Sequence, residues 1–193
     1  MLEAQVIKDA LLYLGAKKQD EQAISLLEKV LKEYRPLFCP RQVTAFFRVK
    51  DAKDALTFEG CEITLEGESI RKHFQGATEG LFSAFTLGMA LDKKLRELSL
   101  SHPAESVALN ALGSAYAERM ADKLLKEVRD QKEAQGFKTT FRFCPGYGDL
   151  ALSANTQIAA ALGATKKIGL TVTESGLLLP IKSIVGVTAC LPL

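Results

Sequence analysis

The sequence predicts an α+β fold in which helices pack on a mixed, largely antiparallel sheet. Three observations carry this. Apolar positions recur at helical spacing over 2–14, over 20–34 and along 103–133. The period changes to two at 42–49 and in shorter runs at 56–58, 61–65 and 138–143. The two kinds of segment do not alternate as regular βαβ units. A length of 193 residues suits a single domain, 1–193. Folding at this size buries roughly 70% of the unfolded surface, so the core needs no metal or disulfide staple.

Each element follows from its residues. Leu2, Val6, Ile7, Ala10, Leu11 and Leu14 give a first helix that Gly15 stops. Asp20 is placed to cap a second, whose stripe is Ile24, Leu27, Val30, Leu31 and Tyr34, with Pro36 beyond its end. QVTAFFRV at 42–49 reads as a strand, and Gly60 and Gly67 mark turns beside the strands at 56–58 and 61–65. Ser69 is placed to cap a short helix through Phe74. GLFSAFTLG at 80–88 suits a buried strand, and 89–98 a helix. Pro103 opens a long helix over 103–133, because the first turn does not need the missing N–H. The remainder gives a strand at 138–143, a Pro-Gly turn, a helix over 153–162 stopped by Gly163, and strands at 168–173 and 183–190.

Composition removes several function classes. The 25 Lys and Arg nearly balance the 23 Asp and Glu, leaving +2. That gives no bulk attraction to nucleic acid or to an anionic membrane, so neither is an expected partner. Cys39, Cys61, Cys144 and Cys190 form no C-x-x-C pair, and the histidines are His73 and His102, which argues against a zinc site. Glu3, Lys8 and Asp9 interrupt the apolar run that a signal peptide needs, and no stretch of about 18 apolar residues exists. A cytoplasmic location with free thiols is expected. G-x-S-x-G, the P-loop, H-E-x-x-H and a strand followed by G-x-G-x-x-G are all missing, so no catalytic side chain is assigned.

Three features look unlike core packing. The first is the run Arg142-Phe143-Cys144-Pro145-Gly146-Tyr147-Gly148-Asp149. Pro145-Gly146 fits the centre of a type II turn, which leaves backbone amides and little bulk at the end of a strand. Arg142, on the face opposite Phe141 and Phe143, offers a planar fork suited to a carboxylate, and Tyr147 offers an apolar face with one hydroxyl. An ordinary loop with a surface arginine is the competing reading. The second feature is Glu118, which shares a stripe of the long helix with Val107, Ala111, Ser114 and Leu125. A carboxylate there needs a partner, either a nearby arginine or a bound cationic ligand. Small residues around it, from Ala108 to Ala117, permit close approach of another backbone or a ligand. The third is Thr173-Glu174-Ser175-Gly176 followed by Leu179-Pro180-Ile181-Lys182-Ser183, which in isolation reads as a β-connection held by turn hydrogen bonds.

Taken in order, AERMADKLLKEVR, RFCPGYGD and IGLTVTESGLLLPIKSIVG resemble the activation domain of cobalamin-dependent methionine synthase, and more closely its short, free-standing relatives. The resemblance is specific over 104–188 and loose before it. It implies a site for S-adenosylmethionine (SAM) that includes the arginine and tyrosine of R-x-x-x-G-Y, here Arg142 and Tyr147, with Gly146 and Cys144 in the same run. It also implies a glutamate from the preceding helix, which aligns at Glu118. The pattern T-E-S…P…S…G matches at Thr173, Glu174, Ser175, Pro180, Ser183 and Gly186. An N-terminal aspartate and a late tyrosine of the larger enzyme find no counterpart, which implies a pocket that is more open or completed by another protein.

No D-x-H-x-x-G cobalamin motif occurs, so cobalamin is expected only through a partner. The resemblance therefore implies a SAM-binding reactivation protein. It would support reductive methylation of cob(II)alamin on a separate methionine synthase that lacks its own activation domain, with a flavodoxin or ferredoxin as possible reductant. It would be an accessory to that methyltransferase rather than a self-sufficient enzyme. The alternatives are a SAM-binding regulatory or scaffolding module without methyl transfer, and a structural partner with no ligand.

Overall fold

A computed structural model of the chain describes residues 2–51 and 55–193. The helices are α1 (Leu2–Tyr13), α2 (Glu21–Tyr34), α3 (Glu68–His73), α4 (Met89–Ser101), α5 (Pro103–Glu133), α6 (Ala154–Leu162) and α7 (Ala164–Ile168). The strands are β1 (Arg41–Asp51), β2 (Leu56–Phe58), β3 (Thr64–Leu65), β4 (Glu79–Thr86), β5 (Phe137–Thr139), β6 (Thr171–Val172), β7 (Leu178–Leu179) and β8 (Ser183–Pro192). The main sheet has the order β3-β2-β1-β4-β8-β5, and β6 and β7 form a separate hairpin. Every strand pairing is antiparallel.

Both faces of the sheet are covered. On one, α1, α2, α4 and α5 pack with Phe85 and Leu87; on the other, α3, α6 and α7 pack with Phe82, Ala84, Val185, Val187 and Ala189. Cover on both sides explains why β4 reads as a continuous apolar run rather than an alternating one. The small residues of α5 serve close packing. Ala108, Ala111, Gly113, Ala115 and Ala117 are buried, and the stem of Lys182 lies over Gly113, where a Cβ would meet its Cγ at 3.3 Å.

Most local signals hold. Asp20 caps α2, its Oδ1 accepting the Ala23 N–H at 3.0 Å, and Gly163 ends α6 in the left-handed conformation. Four expectations need correction. Ser69 does not cap α3; the carboxylate of Asp149, far along the chain, accepts the N–H groups of Glu68 and Ser69 at 2.6 and 3.0 Å. The strand expected at 61–65 is only Thr64–Leu65, because the three-residue β2 offers nothing longer to pair with. The stretch 168–173 begins as the end of α7, since Ala164 and Ile168 bury one helical face at a spacing of four, and only Thr171–Val172 is extended. The strand expected to run to 143 stops at Thr139.

His73 ends α3 among aromatic rings, 4.5 Å from Phe141 and 5.0 Å from Phe143 between centroids, with its Nε2 2.8 Å from Thr140 Oγ1. Burial holds its pKa below the ordinary value of 6.5, outweighing a hydrogen bond to Phe141 that favours the charged ring. The unfolded chain therefore takes the proton first. Stability from the neutral ring is complete above the unfolded value and declines as the pH falls through the lower folded one. The urea midpoint is expected to drop between pH 7 and 5, and His73→Phe is expected to reduce that drop. Equal slopes for the two proteins would contradict the assignment.

Candidate functional site

The site begins where β5 leaves the sheet. The Thr140 N–H donates to the Ala189 carbonyl at 3.0 Å, and Phe143 next rejoins β8 opposite Val187, exchanging bonds of 2.8 and 2.9 Å. The chain thus takes one step more than β8 between these contacts, which is a bulge, and a bulge re-aims the side chains within it. The alternation expected for 141–143 holds, since Phe141 and Phe143 both pack on His73 while Arg142 faces α5, but Phe143 is buried and Phe141 is 61% exposed. Arg142 turns inward and lies over Gly186, where a Cβ would stand 2.6 Å from its Cγ. Only a residue without a side chain admits the arginine at that point of β8.

The guanidinium of Arg142, 9% exposed, meets Glu118 of α5 in an ion pair, with Asp122 Oδ1 3.6 Å from Nη1. Burial acts against the charged guanidinium, but Glu118, Cys144 and Asp122 outweigh it and hold its pKa above the ordinary value. Two of the features singled out in sequence are therefore partners of each other. The Glu118 side chain stays 43% exposed, so its stripe lies at the edge of the core rather than within it. Nε and Nη1 of Arg142 are buried without a hydrogen-bond partner.

The Pro-Gly turn forms as predicted. Gly146 has φ +94°, and the Tyr147 N–H donates to the Cys144 carbonyl at 3.0 Å. Its amides are not free for a ligand, however: that of Gly146 is spent on Leu150 O at 2.8 Å, as that of Tyr147 is on Cys144. The half-buried Cys144 thiol has its pKa pushed up by burial, against the pull of Arg142. Tyr147, exposed at the turn, has its hydroxyl pushed up by neighbouring Cys144, by burial and by Glu118.

Glu118, Cys144, Pro145 and Tyr147 edge a groove of about 430 Å³, within the range of roughly 300–1,000 Å³ usual for small-molecule sites, and Arg142 lies behind Glu118. Glu118 of α5 stands on one side. Leu152 and Asn155 at the start of α6, with Gly176 and Leu177 of the β6–β7 hairpin, stand on the other, and Ile184 and Val185 of β8 contribute to the lining. Tyr147, Leu152, Leu177 and Ile181 leave large apolar surfaces exposed at its rim. The third sequence feature builds the hairpin wall. Leu177 N–H donates to Thr173 Oγ1 at 3.0 Å, and Ser183 Oγ donates to Pro180 O at 2.6 Å. The wall is tied to the helices by Asp92, which accepts the Ile181 N–H at 2.8 Å, and by Lys182, whose Nζ donates to Ser114 Oγ at 2.8 Å. The turn-bond reading of Thr173-Glu174-Ser175 is the one the geometry supports.

A larger cleft, about 850 Å³, lies between α1 and α2 with an apolar base of Ile7, Leu11, Ile24 and Leu31. It holds none of the residues singled out, and none of its side chains is left with a buried, unpartnered atom. Among the described residues, no group of three or more His, Cys, Asp or Glu is placed to hold a metal, and no helix is long and apolar enough to cross a membrane.

No family model matches the sequence, and no curated protein matches it either. A crystal structure of the MetH reactivation domain bound to AdoHcy does match in structure. It has a TM-score of 0.73 and 16% identity, and covers 98% of this chain and 75% of the other. The chain has the reactivation-domain fold. On this fold, Glu118, Cys144 and Tyr147 line one groove, Arg142 braces Glu118 beside it, and Gly146 shapes the turn between them. Sequence reasoning missed Asn155, Leu152 and Leu177. An asparagine in the first turn of a helix gives no signal beyond ordinary helix-start chemistry, and a leucine in a loop gives none.

Proposed function

We propose that this protein binds SAM in the groove between α5 and α6 and reactivates a cobalamin-dependent methionine synthase in trans. One observation carries the reading. Glu118 and Tyr147, each matched to a family motif in sequence, line one groove with Cys144, and Arg142 pairs with Glu118 beside it, in a fold shared with a reactivation domain bound to AdoHcy. The touching Arg142–Glu118 pair suits the zwitterionic end of the ligand: guanidinium toward the carboxylate, carboxylate toward the ammonium. The unpartnered Nε and Nη1 of Arg142 are donors that a carboxylate can satisfy. Tyr147 closes the groove at the turn.

The partner would carry the cobalamin, and a flavodoxin- or ferredoxin-type reductant would supply the one electron that cob(II)alamin needs to accept the sulfonium methyl, with AdoHcy released. This chain's residues bind and orient SAM, and none is required to move a proton. The exposed apolar rim at Tyr147, Leu152, Leu177 and Ile181 supports docking of the loaded partner over the groove.

SAM at 100 times its dissociation constant is expected to stabilise the fold by about 2.7 kcal/mol, raising Tm by about 5–10 °C at this chain length. Methionine and ATP are the controls. The absence of any shift with millimolar SAM or AdoHcy removes the binding reading. Methyl transfer is read separately, as methylcobalamin absorbance with a synthase lacking its activation domain, a reductant and SAM. Methylation that runs equally well without this protein leaves a regulatory or scaffolding module as the better account.

A further inference from the structure

Asn155 is 5% exposed and stands in the α6 side of the groove, away from the charged pair on α5. Its Nδ2 donates to the Gly176 carbonyl at 2.9 Å, while its Oδ1 is buried with no partner. A buried acceptor left unpaired is costly, so it calls for a donor that the protein itself does not supply. The bond to Gly176 also fixes the amide's orientation, because turning it over would put Oδ1 against a carbonyl oxygen. What remains on the carboxamide is one acceptor and the second Nδ2 hydrogen.

The structure assigns to Asn155 the reading of the ligand's base: we infer that its carboxamide edge selects adenine over its deaminated counterpart. This rests on the SAM reading of the groove. Adenine presents an exocyclic N–H beside a ring nitrogen acceptor, and an asparagine amide pairs with that edge in a bidentate manner. Hypoxanthine presents a carbonyl oxygen where adenine has the amine, which sets oxygen against the pinned Oδ1. The surroundings suit a flat base rather than a sugar. Leu152, Leu177 and Leu178 form the neighbouring wall, and Gly176 contributes no side chain. A ribose there would leave hydroxyls against leucine. Arg142 and Glu118 then hold the amino-acid end and Asn155 the base, so both ends of one ligand are specified by residues on opposite sides of the groove.

The test is calorimetric titration of the purified full chain with AdoHcy and with S-inosylhomocysteine, which differ in the base's exocyclic group and in the proton that hypoxanthine carries on N1. The wild type is expected to prefer AdoHcy by about 5- to 150-fold, the usual discrimination of a bidentate contact. Asn155→Ala is expected to weaken AdoHcy, leave S-inosylhomocysteine nearly unchanged and bring the ratio close to one. Equal binding of the two ligands by the wild type overturns the inference while leaving the SAM reading intact. So does an unchanged ratio in the variant. Binding of neither ligand overturns the SAM reading and this inference together. The wild-type comparison decides the matter even if Asn155→Ala fails to fold.

Discussion

Arg142→Ala is expected to lower affinity for SAM and AdoHcy by about 10- to 150-fold, the loss of one charge-assisted contact worth roughly 1.5–3 kcal/mol. The fold is expected to survive. Removing one member of an ion pair is most damaging when the other is left buried, and Glu118 is 43% exposed and can be rehydrated. Arg142→Lys is expected to restore only part of the affinity. A single ammonium cannot reproduce the guanidinium fork, which touches Glu118 and keeps Nη1 3.6 Å from Asp122 Oδ1. Calorimetric titration beside a thermal melt separates the two effects. Unchanged affinity in a folded Arg142→Ala protein removes Arg142 from the site.

The second large effect concerns the wall of the groove. Gly176 has φ +84°, and a Cβ there would stand 2.8 Å from Leu152 O and 2.9 Å from Leu152 C. These are backbone atoms, which cannot swing aside as a side-chain end can. Gly176→Ala combines the left-handed backbone penalty, about 1–2 kcal/mol, with steric overlap of about 1–3 kcal/mol. The sum is about 2–5 kcal/mol, or a Tm lowered by roughly 4–20 °C at this chain length. Gly136→Ala is the internal control. Its φ is +80°, but no atom lies within 4 Å of the added methyl, so only the backbone penalty of about 1–2 kcal/mol is expected. Equal destabilisation of the two variants in urea would show that the Leu152 contact contributes nothing. Because the Gly176 carbonyl also holds Asn155, weaker ligand binding is expected to accompany the loss of stability in Gly176→Ala.

Which parts of the site could be read in advance depended on how far apart the interacting residues lie. Arg142 and Tyr147 share one turn, so their spacing and the Pro145-Gly146 signal between them were sufficient to single them out. Glu118 was conspicuous as a carboxylate on a stripe of small residues, and both of its candidate partners, an arginine and a ligand, were visible. That the arginine is Arg142 was not. Asn155 was illegible, because its significance lies in an acceptor left unpaired once Gly176 has taken its donor, a fact about two residues that only folding brings together.

The sequence by itself determined the elements whose causes are local. Asp20 begins α2, Pro103 opens α5, Gly163 ends α6 and Pro145-Gly146 makes its turn, because each depends on the backbone preference of one or two residues. The apolar run of β4 announced a buried strand because a strand covered on both faces is apolar at successive positions. Only the tertiary structure decided the bulge at 140–143, the capping of α3 by Asp149, the seating of Arg142 over Gly186 and its pairing with Glu118. Each of these sets a local preference, or an isolated charge, against contacts from distant parts of the chain. The outcome turns on which groups lose water together, and no periodicity in the sequence records that.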